Sequence, residues 1–239
     1  MVIVLSLDTC DVRGSVALLR EDVLLASANH DSDDDYSSWL LPVVDSVLRN
    51  ADIHMADVDA YGVAAGPGSF TGVRVGLTTV KAWSEVYGKP IAAVSRLEAI
   101  ACSAPAGSNY VAAFADARRG HVFGAIYRRH AKILQRLGEE FVIAPSRFVS
   151  MAVELAGAEK IAWTTTIAEG LSGTEEWRSR EKFGEETQIV SPFLAPKIGQ
   201  MAARQLASGQ STGSLELDAN YLRRADAQFS WNDARASGR

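Results

Sequence analysis

Two segments define the architecture of this chain: Leu7-Asp8-Thr9-Cys10-Asp11-Val12-Arg13-Gly14 and Ala115-Asp116-Ala117-Arg118-Arg119-Gly120. Each segment ends an aliphatic run in an aspartate and resumes at a glycine, which predicts a strand, a tight turn and a second strand. Because the same signal appears in both halves, we interpret the chain as a duplication. It predicts two lobes, residues 1–105 and 106–239, with a cleft between them where the two hairpin turns face each other.

The hydrophobic periodicity around these segments predicts a similar order of elements in each lobe. In the first lobe we expect strands at 2–8, 14–19, 23–28, 60–65 and 90–94, and helices at 37–51 and 69–87. In the second lobe we expect strands at 110–116, 121–128, 132–137, 160–164 and 188–190, and helices at 145–156 and 192–207, with a largely polar stretch at 165–187. The sequence therefore predicts an α/β fold in which each lobe has a mixed sheet flanked by helices.

The composition argues against several classes of protein. With 239 residues, 47% of them hydrophobic, the chain is long enough to bury a sizeable core. The formal net charge of -5 argues against a protein that grips nucleic acid alone, because phosphate binding depends on concentrated Lys and Arg. Cys10 and Cys102 are too few for a disulfide framework. No apolar run approaches the roughly 18 residues of a membrane span, and we expect a cytoplasmic protein.

Asp8 and Asp116 each end the first strand of a lobe, a position that suits a group facing the phosphates and metal of a nucleotide. A phosphate-binding turn favours small residues with free backbone N–H groups, whereas both turns here are bulky. Two interpretations remain open. One is a vestigial nucleotide site formed by Asp8, Thr9, Asp116 and Arg118, and the other is a pair of structural turns.

A glycine-rich segment joins a predicted buried strand to a helix: Gly66-Pro67-Gly68-Ser69-Phe70-Thr71-Gly72-Val73-Arg74-Val75-Gly76. Its spacing matches neither a Walker loop, which ends in Gly-Lys-Ser/Thr, nor a dinucleotide-binding loop. Ser69 is a good N-cap for the helix. Gly72 and Gly76 lie one helical turn apart, so one face of the helix has no side chains at these two positions. A second helix is therefore expected to approach this face closely.

The preceding predicted helix carries an apolar arc wider than burial against one sheet requires. The arc consists of Leu40, Leu41, Val44, Val47 and Leu48. It is consistent with a surface for a second protein and also with intramolecular core on both faces.

Candidate metal and nucleophile sites are scarce. Asp31-Ser32-Asp33-Asp34-Asp35 begins like a calcium loop, but Tyr36 replaces the turn glycine and Pro42 replaces the bidentate glutamate. The 4 histidines show no helical metal-pair spacing, and no Gly-x-Ser-x-Gly elbow occurs. The sequence predicts no metal site, no tightly bound cofactor and no catalytic residue on this chain.

The glycine-rich segment closely resembles the signature of the bacterial TsaB family, also called YeaZ. Three further segments agree in order and spacing: residues 5–9, residues 116–123, and Tyr221-Leu222-Arg223. The resemblance implies the duplicated, ribonuclease H-like fold of the actin, sugar-kinase and heat-shock ATPase superfamily. Two departures from the family pattern are Tyr36, where a histidine is usual, and Ala219, where a proline is frequent.

The resemblance also implies a function. It implies a non-catalytic subunit that binds and stabilises a TsaD-type transferase, together with a TsaE-type ATPase, in forming threonylcarbamoyladenosine beside the anticodon of tRNAs reading codons that begin with A. The chain would meet tRNA only through the complex, ATP or ADP would bind at subunit interfaces, and a homodimer would form without the partners. The alternative is a self-contained ATPase or small-molecule kinase of the same superfamily.

The implied contact surface lies on the two N-terminal-lobe helices. It comprises Leu40, Leu41, Val44, Val47, Leu48, Ser69, Phe70, Thr71, Gly72, Val73, Arg74 and Gly76. On this basis Val44→Asp and Gly72→Trp are expected to abolish pairing while leaving the fold intact.

Overall fold

The computed structural model describes residues 1–32, 35–131, 133–213, 216–220 and 222, and these form two sheets. The first sheet contains β1 (Ile3–Asp8), β2 (Gly14–Arg20), β3 (Val23–His30), β4 (Ala60–Ala64) and β5 (Ile91–Val94), in the order β3-β2-β1-β4-β5. The first three strands form an antiparallel meander, whereas β4 runs parallel to β1 and β5 runs parallel to β4.

The second sheet repeats this pattern. It contains β6 (Tyr110–Asp116), β7 (Val122–His130), β8 (Ile133–Arg136), β9 (Phe141–Ile143), β10 (Ile161–Thr165) and β11 (Thr187–Ile189). Their order is β11-β10-β6-β7-β8, with β9 paired to β7. Strand β7 is antiparallel to β6, whereas β10 runs parallel to β6. The predicted architecture of two mixed sheets flanked by helices is confirmed.

The helices begin and end at recognisable signals. They are α1 (Tyr36–Asn50), α2 (Phe70–Tyr87), α3 (Arg96–Cys102), α4 (Pro145–Ala156), α5 (Glu175–Lys182) and α6 (Ala195–Ala207), with a short 3-10 turn at Met55–Asp57. Ser69 Oγ accepts a hydrogen bond from the Gly72 N–H at 3.4 Å at the start of α2, as its N-cap role predicts. Gly88 ends α2 with a left-handed φ of 64°. Within the described ranges, no helix combines the length and apolar character of a membrane span.

Besides the 3-10 turn, the sequence-based prediction lacks two helices and one strand of the structure. Helix α3 follows Ser95, whose hydroxyl accepts a hydrogen bond from the Glu98 N–H at 3.2 Å. Helix α5 lies in the polar stretch 165–187 and is capped by Thr174. Strand β9 is only 3 residues long. Lys132, at the start of the predicted strand 132–137, lies outside the described residues.

The last helix of each lobe packs on the sheet of the other lobe. Helix α6 covers the first sheet, where Ser6 Oγ donates to the Ala195 carbonyl at 2.8 Å and Ala202 packs against Val4 and Ala60. Helix α3 packs against β6, β7 and β10 of the second sheet. The two sheets are therefore separate in sequence, but each depends on a helix from the other half of the chain.

Candidate functional site

The two hairpin turns meet in a cleft of about 940 Å³ between the lobes. The β1–β2 turn contributes residues 10–12 and the β6–β7 turn contributes residues 116–119. Residues 67–73, around the N-terminus of α2, form a further wall, and Arg96 also lines the cleft. The prediction that the two turns face each other is confirmed.

Asp8 and Thr9 do not belong to the lining of this cleft. The Asp8 side chain is 0% exposed, and its Oδ1 accepts a hydrogen bond from the Cys10 N–H at 3.0 Å. The Thr9 hydroxyl donates to the Gly72 carbonyl at 2.7 Å. Asp8 and Thr9, two of the four residues predicted for a nucleotide site, therefore hold the β1–β2 turn against the rest of the lobe.

Arg96 is the charged group that the sequence analysis missed. It is 1% exposed, and its Nε lies 3.3 Å from Asp8 Oδ2 while its Nη2 lies 3.2 Å from Asp11 Oδ2. Burial lowers the pKa of Arg96, but the carboxylates of Asp8 and Asp11 more than offset this effect, so its pKa lies above the ordinary value. Arg96 thus forms ion pairs with both the carboxylate that ends β1 and the carboxylate in the turn that follows.

Asp116 is paired within its own turn. Its Oδ1 accepts a hydrogen bond from the Arg118 N–H at 2.7 Å, and its Oδ2 lies 3.2 Å from Arg118 Nη1. Arg118 and Arg119 have φ values of 60° and 54°, a left-handed backbone conformation that residues other than glycine rarely adopt. The Asp116 carboxylate thus stabilises a strained turn by binding both the backbone N–H and the guanidinium of Arg118.

A second concave surface, of about 460 Å³, lies between α1 and α2. We call it the α1–α2 groove; its lining comprises Tyr36, Ser37, Leu40, Leu41, Phe70, Thr71, Arg74, Val75, Thr78 and Thr79. Two large apolar side chains of this lining are exposed, Leu41 at 57% and Phe70 at 40%. The Arg74 guanidinium carbon lies 3.7 Å from the centroid of the Phe70 ring. Apolar surface and a stacked cation therefore share one groove.

Much of the predicted contact surface lies inside the chain's own core, which corrects the earlier expectation. The buried members are Leu40, Val44, Val47, Leu48, Gly72, Val73 and Gly76. A Cβ on Gly72 would lie 2.0 Å from the Thr9 carbonyl oxygen, and a Cβ on Gly76 would lie 2.5 Å from the Thr9 hydroxyl. The prediction that these glycines admit a second helix is wrong, because they admit the β1–β2 turn.

The buried positions of Val44 and Gly72 also show that the expectation for Val44→Asp and Gly72→Trp is wrong. These substitutions were expected to abolish pairing while leaving the fold intact. Val44 is 3% exposed, so Val44→Asp would bury a carboxylate in the core. Gly72→Trp would collide with the Thr9 backbone. Each change would disrupt the fold itself. The exposed members of the predicted surface are Leu41, Ser69, Phe70, Thr71 and Arg74.

Tyr36 lies between the two concave surfaces and lines both. Its hydroxyl donates to the Asp11 carbonyl at 2.6 Å, and its ring centroid lies 4.5 Å from that of His30. Burial raises the pKa of Tyr36 above its ordinary value, and the Asp8 and Asp11 charges add to the rise. Tyr36 therefore ties the first turn of α1 to the β1–β2 hairpin through an uncharged phenol.

Two predicted features fall partly outside the described residues. In the acidic run 31–35, Asp33 and Asp34 are outside. In the C-terminal motif, Tyr221 and Arg223 are outside, whereas Leu222 lines the cleft beside Asn220. The Asn220 N–H donates to the Ala65 carbonyl at 2.8 Å, which places this segment against the end of β4.

Comparison with known proteins identifies relatives of the chain. The family described as TsaD, tRNA N6-adenosine threonylcarbamoyltransferase, matches residues 28–209. The tRNA threonylcarbamoyladenosine biosynthesis protein TsaB of Bacillus subtilis is 34% identical over 134 residues, which span 56% of this chain and 58% of that relative. TsaB of Escherichia coli is 28% identical over 229 residues, spanning 92% of this chain and 94% of the relative.

A solved structure agrees with these sequence matches. YeaZ from Pseudomonas aeruginosa superposes with a TM-score of 0.75 at 28% identity, covering 93% of this chain and 100% of that structure. The predicted two-lobe fold is confirmed, and the ROK hexokinase of Thermus thermophilus shares it at a TM-score of 0.51 and 12% identity. The chain belongs to the family described as TsaD, tRNA N6-adenosine threonylcarbamoyltransferase, and within it to the TsaB, or YeaZ, group.

Proposed function

We propose that this chain is a non-catalytic subunit in the formation of threonylcarbamoyladenosine beside the anticodon of tRNAs that read codons beginning with A. It binds and stabilises a TsaD-type transferase in the cytoplasm, and a TsaE-type ATPase joins the pair. The proposal is carried by the α1–α2 groove, whose lining includes Leu41, 57% exposed, and Phe70, 40% exposed. Large apolar side chains gathered in one groove are typical of protein interfaces.

The proposed contact surface is narrower than the one the sequence indicated. We call it the contact strip, and it consists of Leu41, Ser69, Phe70, Thr71 and Arg74. Aromatic and arginine side chains often dominate binding energy at interfaces, and Arg74 stacks on Phe70. The buried Leu40 and Val44 fix α1 from behind, so the strip is presented on a rigid support.

The chemistry is assigned to the transferase rather than to this chain. Asp8 is 0% exposed and bonded to Arg96 and Cys10, and Asp116 is bonded to Arg118. These contacts support a structural role and count against the alternative, a self-contained ATPase or small-molecule kinase. The net charge of -5 supports contact with tRNA through the complex and not by this chain alone.

Without a transferase, the same contact strip is proposed to pair with a second copy of the chain. A two-fold dimer places the same patch on both subunits, so the same contact strip can bind either partner. ATP or ADP, if bound by the assembly, is placed by this proposal at subunit interfaces.

The experiment is to mix the chain with the TsaD-type transferase of the same host and measure complex formation by size-exclusion chromatography and calorimetry. The wild type is expected to co-elute, whereas Leu41→Asp places a charge in the strip and should weaken binding at least about tenfold. Val86→Asp is the control, because Val86 is 75% exposed near the end of α2 and lies outside the groove. Wild-type affinity in a folded Leu41→Asp variant would refute the assignment.

A further inference from the structure

The superfamily fold implies a magnesium–nucleotide site between the lobes, beside the aspartates that end β1 and β6. Magnesium binds through carboxylate oxygens that remain accessible to the ion or its water shell. The fit of such a site therefore depends on which carboxylate oxygens the chain leaves available.

In the first turn, both oxygens of each carboxylate are engaged by the chain itself. Asp8 Oδ1 accepts from the Cys10 N–H at 3.0 Å and Oδ2 accepts from Arg96 Nε at 3.3 Å. Asp11 Oδ1 accepts from the Val12 N–H at 2.8 Å and Oδ2 accepts from Arg96 Nη2 at 3.2 Å. A metal ion would therefore have to compete with a donor at every one of these oxygens.

Arg96 is held firmly in this position. Its own N–H donates to the Gly66 carbonyl at 2.8 Å, and it is the first residue of α3, which Ser95 caps. Its guanidinium is permanently charged, and the residue as a whole is 1% exposed. A divalent cation placed beside Asp8 would therefore meet a buried like charge that is unable to release its proton.

The carboxylate of the second turn also has partners within the chain. Asp116 Oδ1 accepts from the Arg118 N–H at 2.7 Å, and Oδ2 lies 3.2 Å from Arg118 Nη1. The residues present in the two turns do not fit a magnesium–nucleotide site.

We propose that Arg96 is a built-in counter-ion that takes the place of a divalent metal beside Asp8 and Asp11, so that the cleft binds no metal–nucleotide. This inference goes beyond the proposed function and holds whether or not the contact strip binds a transferase. It also makes a positive prediction, because removing the guanidinium should leave the buried Asp8 carboxylate and the partly exposed Asp11 carboxylate without a counter-ion.

The test uses Mn²⁺ as the probe, with free Mn²⁺ followed by electron paramagnetic resonance and protein stability followed by thermal melting. The wild type is expected to bind no Mn²⁺ in the millimolar range, and Mg–ATP is expected to give no binding heat. Arg96→Met should melt at a lower temperature, bind Mn²⁺ at least tenfold more tightly than the wild type, and regain melting temperature when Mn²⁺ is added. Adding Asp8→Asn to Arg96→Met should remove this response.

Arg96→Lys keeps a positive charge and serves as the matched variant, expected to exclude Mn²⁺ as the wild type does. If Arg96→Met fails to fold, the proposal is still tested, because Mn²⁺ binding by the wild type or by Arg96→Lys would contradict it. Mn²⁺ or Mg–ATP binding by the wild type that Asp8→Asn removes would overturn the proposal. A folded Arg96→Met variant that neither binds Mn²⁺ more tightly than the wild type nor regains melting temperature with it would also overturn the proposal.

Discussion

Glu185 is only 6% exposed, and it accepts hydrogen bonds from Trp163 Nε1 at 2.6 Å and Arg180 Nε at 2.8 Å. The Ile161 N–H donates to the same carboxylate at 3.3 Å. Burial raises the pKa of Glu185, but the hydrogen bonds from Arg180, Trp163 and Ile161 outweigh burial and hold the pKa below its ordinary value. The charged carboxylate therefore joins β10 to α5.

Lowering the pH should weaken the contact between β10 and α5 and lower the free energy of unfolding. Because the pKa of Glu185 is lower in the folded state, its stabilising contribution is complete above the unfolded pKa of about 4.3 and is lost as pH falls through the folded pKa. Glu185→Gln should cost about 1–3 kcal/mol near neutral pH, and it should lose less further stability than the wild type on acidification. Urea unfolding at a series of pH values measures both effects.

The matched control for this change is Glu186→Gln, which alters an exposed neighbour. It should follow the wild-type pH dependence closely. If Glu185→Gln and Glu186→Gln behave alike, the hydrogen-bonded carboxylate does not have the role assigned to it.

Helix α2 approaches the β1–β2 turn closely at Gly72. A Cβ there would lie 2.0 Å from the Thr9 carbonyl oxygen, which is backbone and has little freedom to move. Gly72→Ala is therefore expected to lower the free energy of unfolding by about 1–3 kcal/mol. Thr71→Ala, on the exposed side of the same turn, should stay within about 0.5 kcal/mol of the wild type. Equal stability of the two variants in denaturant unfolding would show that α2 is free to shift.

The regular elements could be read from the sequence where local signals are strong. Helix α4 was predicted at 145–156 and occupies those residues, since a proline begins it and a glycine follows it. Helix α3 is missing from the prediction because its 7 residues are too few to show a helical period. Helix α5 is missing because Trp177 is its only buried residue in the described structure, so it has no apolar face to detect. Short or polar helices depend on tertiary packing that periodicity does not record.

The candidate sites were predictable only in part, for a related reason. Glycine spacing showed that one face of α2 is bare, but not that Thr9 fills the space. Nothing local marks Arg96 as the partner of Asp8, 88 residues earlier in the chain. Leu41 and Leu40 look equivalent in the sequence, yet one is 57% exposed and the other 1%. Pairing and exposure are set by the assembled fold.

The exchange of helices between lobes affects how the entire chain folds. Helix α6 covers β1 and β4, and Val4, Ala60 and Ala92 are at most 1% exposed beneath it. A fragment of residues 1–105 lacks this helix, so its sheet would expose apolar surface on that side. We expect the fragment to show no cooperative thermal transition by circular dichroism, in contrast to the full chain. A sharp transition in the fragment would show that the first lobe folds independently.

The most direct test of the proposed interface is amide hydrogen exchange of the chain with and without the TsaD-type transferase. Slowed exchange is expected in the first turns of α1 and along the exposed side of α2, around Leu41, Phe70 and Arg74. Little change is expected in β10 and β11, which lie in the other lobe. Protection centred on the second sheet, with none at the contact strip, would show that the partner binds elsewhere.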